Sequence, residues 1–230
     1  MMGTNNLRGK VLVYGVGMND VDIPTRHCDE NGARLGNNRY YNVWFSMMER
    51  CYSEKYQSSR PSYRGCSVHQ DWHKFSNFMN WVDTQPQADW QTKQMDKDLL
   101  VKGNKEYGPN TCCFLTNHEN NIFKLSISPL GTVFYTPGNR KKPWRARVEC
   151  KGKHINLGYY TSEEEASIVS ANAGIQRVVN LALLNPHRFI QNAMFSWIAD
   201  WKQEITLMES EFQKIKEANN GTATLQDHLC

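Results

Sequence analysis

The stretch that decides the fold runs from Trp144 to Ala166, Trp-Arg-Ala-Arg-Val-Glu-Cys-Lys-Gly-Lys-His-Ile-Asn-Leu-Gly-Tyr-Tyr-Thr-Ser-Glu-Glu-Glu-Ala. In an extended chain alternate side chains point to opposite faces, so Trp144, Ala146 and Val148 share one side while Arg145, Arg147 and Glu149 share the other. Lys151-Gly152-Lys153 reads as a turn, and His154 to Tyr159 returns as the next strand. Upstream, Thr132 to Thr136 supplies another strand, joined through Pro137-Gly138-Asn139. The spacing therefore predicts a three-stranded antiparallel meander. Thr161-Ser162-Glu163-Glu164 follows with a capping-box pattern, in which the Thr161 hydroxyl and the Glu164 carboxylate satisfy each other's orphan amides. The helix it opens runs to about Leu184. Its Ala166, Val169 and Ala173 can cover the apolar side of the sheet and leave the arginines open.

Charge is concentrated in the same place. The chain of 230 residues carries a net +4, yet the segment from Arg140 to Lys153 alone carries +6. Its basic residues are Arg140, Lys141, Lys142, Arg145, Arg147, Lys151 and Lys153, opposed by Glu149 alone. The remainder of the chain is thus weakly acidic, and the basic block beside Trp144 has the footprint that a polyphosphate partner requires. A hydrophobic content of 40% with seven tryptophans supplies real cores and excludes global disorder. The longest nearly unbroken apolar run, Val178 to Leu184, is far short of the roughly 20 residues that span a bilayer, and MMGTNNLRGK lacks a signal-peptide apolar region. Seven cysteines, an odd number in a chain too large to need staples, fit a reducing cytoplasm.

Elsewhere the pattern is helical. Val11 to Val13 reads as a short strand, and the Gly15-Val16-Gly17 stretch after it as a turn, since no third glycine or helix-forming run completes a dinucleotide fingerprint. Tyr41, Trp44, Met48 and Cys51 recur on one helical face. Asp71 is placed to cap a second helix with Trp72, Phe75, Met79 and Val82 on its inner face. The polar, glycine-punctuated segment from Gln94 to Phe123 reads as a hairpin and loop. Ser126 to Pro129 reads as a linker. Beyond Pro186, apolar residues from Met194 to Ile215 recur every three or four positions, as in a helix of roughly 30 residues, about 45 Å long. Its partner is the body of the protein or a second copy, with a homodimer through residues 187–218 as the intermolecular form. The tail from Asn219 is expected to fray. The fold class is α+β: a helix-rich module with a hairpin over 1–125, a sheet packed on a helix over 126–185, and an amphipathic helix and tail over 186–230.

The segment from Gly131 to Ala166 carries a resemblance. Gly131-Thr-Val-Phe-Tyr135, the Trp144-x-Ala146-x-Val148 strand, the Leu157-Gly158 corner and the Thr161-x-Glu163-Glu164 helix opening resemble the Apetala-two (ethylene-response-factor) DNA-binding domain over residues 131–180. The resemblance implies a sheet lying in the major groove of double-stranded DNA, with Phe134, Arg145, Arg147 and Asn156 outward, and Arg140, Lys142, Trp144, Lys151 and Lys153 completing the contact patch. Phe134 and Asn156 stand where the plant domain has an arginine and a tryptophan, so the target sequence does not carry over.

The region from Tyr41 to Asn121 resembles bacteriophage HNH-type, homing-endonuclease-like proteins. It does so through Trp44-x-x-Met47-x-x-Arg50-Cys51, Tyr63-x-Gly65 with Val68 and Trp72, Asp96-x-Asp98, and Tyr107-x-Pro109 with Cys112 and Asn120. That resemblance implies a metal-dependent phosphodiester hydrolase acting in the cytoplasm of an infected bacterial host. Asp96 would bind Mg2+ or Mn2+ with Asp98, and His118 and Asn120 would lie close by. Lys97 occupies the position of the family's base histidine, between two carboxylates that hold an ammonium protonated. Cys51, His69 and Cys112, with His73 or Cys113 as a fourth ligand, form a candidate zinc set. Two functions follow as expectations: an HNH-like endonuclease, or a DNA-binding regulator or anti-host protein that has lost cleavage. An interaction protein assembled through 187–218 is a third class, which would associate with concentration and bind DNA weakly.

Overall fold

Large aromatic side chains at helical spacing build the first core. The computed structural model describes residues 11–28, 30–32, 34–123, 131–138, 141–150 and 152–226, and the chain divides into two compact units, Met1–Asn117 and His118–Cys230. In the first, β1 (Arg26–Cys28) and β2 (Arg34–Asn37) form a short antiparallel hairpin. Helix α1 (Arg39–Tyr52) follows, its N-cap Asn38 accepting from the Tyr41 amide at 3.3 Å. α1 buries Val43, Trp44, Met47, Met48 and Cys51 against Trp72, Phe75 and Phe78. The Trp44 indole is satisfied at depth by donating to the Trp72 carbonyl at 2.7 Å.

The short α2 (Glu54–Ser59) leads to β3 (Ser67–Val68), then α3 (Phe75–Asp83), β4 (Gln94–Asp96), β5 (Glu106–Tyr107) and β6 (Cys113–Leu115). β3 pairs with β5 in parallel, and β4 pairs with β6 antiparallel across a long connection that contains β5, so the segment read as a hairpin holds an antiparallel pair of non-consecutive strands. Two expectations change. Val11 to Val13 is not a strand: Val11 is exposed and Val13 makes an isolated bridge to Gly17. Gly17 lies so close to Trp44 that a Cβ there would stand 2.8 Å from the indole, which explains the residue by packing. Asp71 does not cap a helix but sits inside a 3-10 turn, Gln70–His73. The carboxylate serving the first turn of α3 comes from Asp20, which accepts from the Ser76 amide at 2.9 Å and hydroxyl at 2.6 Å.

In the second unit α4 (Asn117–Ile122) precedes an antiparallel sheet in the order β7 (Thr132–Tyr135), β8 (Trp144–Cys150), β9 (Lys153–Tyr160). Helix α5 (Glu163–Leu184) packs on it. The cap of α5 falls one residue later than the sequence pattern suggests, with Ser162 accepting from the Glu165 amide at 3.2 Å. Helix α6 (Arg188–Gln226) has 39 residues, roughly 58 Å at 1.5 Å per residue, so the expected fraying from Asn219 is replaced by helix as far as Gln226. Its Ile190, Met194, Trp197, Ile198, Trp201 and Ile205 are buried, and α6 packs along α5 within the same unit. Phe123 stacks on Trp201 at 5.6 Å, and Asn185 donates to Glu119 at 2.7 Å, which ties α4 to the α5 to α6 corner. The architecture is α+β. The expected linker at Ser126 to Pro129 lies outside the described residues, and no helix among those described is long and apolar enough to cross a membrane.

Candidate nucleic-acid interface

Strand register decides which side chains share the open face of the sheet. Directly opposed residues of antiparallel strands point the same way, and the pairs are Thr132 with Arg147, Phe134 with Arg145, and Arg145 with Tyr159. Ala146 and Val148 are buried on the α5 side. Between Ala146 and Arg147 the register of β9 shifts, so that Gly158 opposes Ala146 while Asn156, not Leu157, opposes Arg147. The extra residue is a β-bulge, accommodated by Gly158 at φ 124. Without it Leu157 would take the outward position beside Arg147.

The open face therefore presents Thr132, Phe134, Arg145, Arg147, Glu149, His154, Asn156 and Tyr159. The Phe134 ring is its hub: the Arg147 guanidinium carbon lies 4.0 Å from the ring centroid and that of Arg145 lies 5.8 Å away. Cation–π contact of this kind holds the planar forks in place while leaving their in-plane donors available. Among the described residues neither guanidinium has a hydrogen-bond partner, and the occluded Nε of each is unsatisfied. Asn156 spends its Oδ1 on the Gly158 amide at 3.3 Å, which keeps its amide donor group at the surface. Behind the sheet, buried Ser170 of α5 donates to the Arg147 carbonyl at 2.8 Å and to the Thr132 carbonyl at 3.3 Å, fixing β7 and β8 to the helix.

Phe134, Arg145, Arg147 and Asn156 are thus brought together, as the alternation expects. Lys142 and Lys153 are exposed, at the start of β8 and at the turn into β9. Arg140 and Lys151 lie outside the described residues. Trp144 differs: strand alternation puts it on the side of Ala146 and Val148, where it meets Tyr135 edge to face at 5.2 Å. The sequence reading missed Thr132, His154 and Tyr159 as neighbours of the arginines. The signal for them was strand pairing, which alternation within β8 alone does not supply.

The expected catalytic residues have other occupations. Asp96 is buried, and its carboxylate accepts from the Leu99 amide at 2.8 Å and the Asp98 amide at 3.3 Å, closing the loop that leaves β4. Burial pushes its acid above the usual carboxylate value against the pull of these two amides. The Lys97 ammonium donates to Asp98 Oδ1 at 2.7 Å and to the Asn104 carbonyl at 2.6 Å. These residues do not fit a divalent ion, because the Asp96 oxygens face amide donors and Asp98 faces an ammonium. His118 and Asn120 belong to α4 in the second unit, where His118 lines a cavity of about 250 Å³ with Glu149, His154 and Arg177.

Cys51 and Cys112 are buried, each thiol pushed up to about 12, chiefly by burial. His69 Nδ1 accepts from the Asp71 amide at 3.3 Å. Among the described residues no three His, Cys, Asp or Glu side chains gather as a metal site. Comparison with protein-family models, with curated proteins and with solved structures finds no match to this chain.

Proposed function

We propose that the chain is a DNA-binding protein that reads double-stranded DNA with the β7 to β9 sheet of its second unit and does not cleave it. The observation that carries this reading is the open face on which Arg145 and Arg147 flank Phe134 with their hydrogen-bonding capacity unspent. A short twisted sheet can enter the major groove, where an arginine fork matches the O6 and N7 acceptors of guanine, and Asn156 can donate to the same edge of the bases. Lys142 and Lys153, outside the arginine pair, are suited to phosphate and so to register rather than sequence. α5 supports the sheet from behind, which preorganises the face before DNA arrives.

The occupations of Asp96 and Lys97 support the non-cleaving form of the reading. One is a loop cap and the other an ion-paired side chain, so neither is free for the role of metal ligand or base that the resemblance implies. The experiment is duplex binding across a salt series by the full chain and by an Arg145→Gln, Arg147→Gln double variant, alongside supercoiled plasmid with Mg2+ or Mn2+. Binding that weakens in the double variant with the plasmid left intact is expected. Equal binding by both proteins would overturn the sheet reading, and metal-dependent nicking would overturn the non-cleaving one.

A further inference from the structure

We propose that the first unit holds a phosphate-binding site, in the cavity between α1 and β4. The cavity measures about 280 Å³ and its polar lining is Arg39, Asn42, Ser46 and Arg50 of α1 and Gln94 of β4, with Val43 and Met95 as its apolar wall. The four α1 residues follow one another at three, four and four positions, which makes them a single stripe along the helix. Each of the five is a hydrogen-bond donor, two are permanent cations, and no carboxylate lines the space. Asn42, Ser46 and Gln94 can accept as well as donate, so the two guanidiniums, with no carboxylate beside them, set the sign and ask for an anion.

The two arginines are held in place, and the three neutral side chains keep their donors open. Arg39 is anchored by one nitrogen, Nη2, to the Lys93 carbonyl at 2.7 Å, while its Nε is occluded and unpartnered. Arg50 hydrogen-bonds to the Tyr107 and Tyr56 side chains and lies 5.7 Å from the Tyr63 ring centroid, which fixes its planar fork and supplies charge more than free donors. The side chains of Asn42, Ser46 and Gln94 are half-buried and hydrogen-bond to no described residue. The volume falls just below the range of about 300 to 1,000 Å³ typical of sites for whole drug-sized ligands, so it suits a phosphate group rather than a complete nucleotide. Arginine recognises tetrahedral oxyanions bidentately, and a phosphate offers four oxygens to five donor groups. The phosphate is either free in solution or part of a nucleic-acid backbone, and the two share this chemistry. The inference stands on the first unit alone and does not need the sheet to bind DNA.

The test titrates inorganic phosphate into the full chain at constant ionic strength, read by calorimetry and by the midpoint of thermal unfolding. Asn42→Leu and Ser46→Leu fill the cavity without touching an arginine, and Arg39→Gln removes one charge. Saturable binding with a raised midpoint is expected for the natural chain, and an affinity about tenfold lower in each variant, the worth of one charge-assisted hydrogen bond. Absence of saturable binding at millimolar phosphate, or equal affinity in all four proteins, would overturn the site. Chloride at the same ionic strength must leave the midpoint where it was; an equal rise with chloride would also overturn it.

Duplex binding then identifies the source. If a backbone phosphate occupies the cavity, Asn42→Leu lowers the slope of log affinity against log salt by about 0.9. An unchanged slope with lost phosphate affinity assigns the site to free phosphate. The Arg145→Gln, Arg147→Gln variant keeps its phosphate affinity in either case, so a failure of the sheet reading is distinct from a failure of this one.

Discussion

Replacing Asp96 by alanine separates the structural role of this carboxylate from a catalytic one. The substitution strips acceptors from the Leu99 and Asp98 amides, which receive them at 2.8 Å and 3.3 Å, within a loop where Asp96 itself is 8% exposed. A hydrogen bond to a charged acceptor contributes about 1.5 to 3 kcal/mol, and the second contact here is long. The cost of keeping a carboxylate buried offsets part of the gain, as the upward push on its acid shows. A net loss of about 2 kcal/mol follows. For a unit spanning Met1–Asn117, at about 4 °C per kcal/mol, the melting midpoint falls by about 8 °C.

The pH dependence has a defined sign. Because the folded acid lies above 3.8, the stability linked to its protonation is fully present below that value and is lost as pH rises through the folded one. An Asp96→Asn variant, which cannot titrate, therefore gains on the natural protein as pH rises above 3.8. Calorimetric melts of the three proteins from pH 3 to 8, with the plasmid assay run beside them, provide the measurement. An Asp96→Ala protein that melts at the natural midpoint but loses a metal-dependent nicking activity would refute the reasoning.

Other outcomes follow from single contacts. A Cβ at Gly131 would stand 2.6 Å from the Ser170 carbonyl oxygen, so Gly131→Ala must displace α5 from the sheet, at about 2 kcal/mol by denaturant unfolding. Cys51 and Cys112, with thiols at about 12, stay protonated at pH 8 and resist alkylation in the native protein, so half-buried Cys150 is modified before either, as peptide mapping will read. Tyr40 donates to Asp83 at 2.6 Å, which with burial raises its phenol from 10.0 to about 12. The stability linked to that proton is fully present below pH 10.0 and is lost toward pH 12, and Tyr40→Phe removes this loss in tyrosinate-monitored alkaline unfolding.

The second unit was largely legible because both periods that matter are short-range. Alternation in Trp144 to Cys150 places the arginines opposite Ala146 and Val148, and the three-to-four spacing from Met194 onward announces α6. What alternation within one strand cannot provide is the partner's register: the bulge that turns Asn156 outward and Leu157 away depends on how β9 lies against β8. Trp144 was legible from alternation alone, which sets it with Ala146 and Val148 and away from the arginines; counting it in the contact patch followed the basic block instead.

The first unit was less legible. Its helices follow from aromatic spacing, yet the carboxylate that caps α3 comes from Asp20, 56 positions away from Ser76, and long-range caps leave no local pattern. Asp96-Lys97-Asp98 looked like chemistry because residue types alone do not reveal which atoms are already engaged. The backbone amides of Asp98 and Leu99 and the carbonyl of Asn104 answer that question.

The central claim is that β7 to β9 enter the major groove behind Arg145 and Arg147. Dimethyl sulfate footprinting on a bound duplex tests it most directly, because the reagent methylates guanine N7 in the major groove and adenine N3 in the minor groove. The account predicts guanine N7 protection by the natural chain that is lost in the Arg145→Gln, Arg147→Gln variant. Protection confined to adenine N3, or guanine protection unchanged in the double variant, would contradict it.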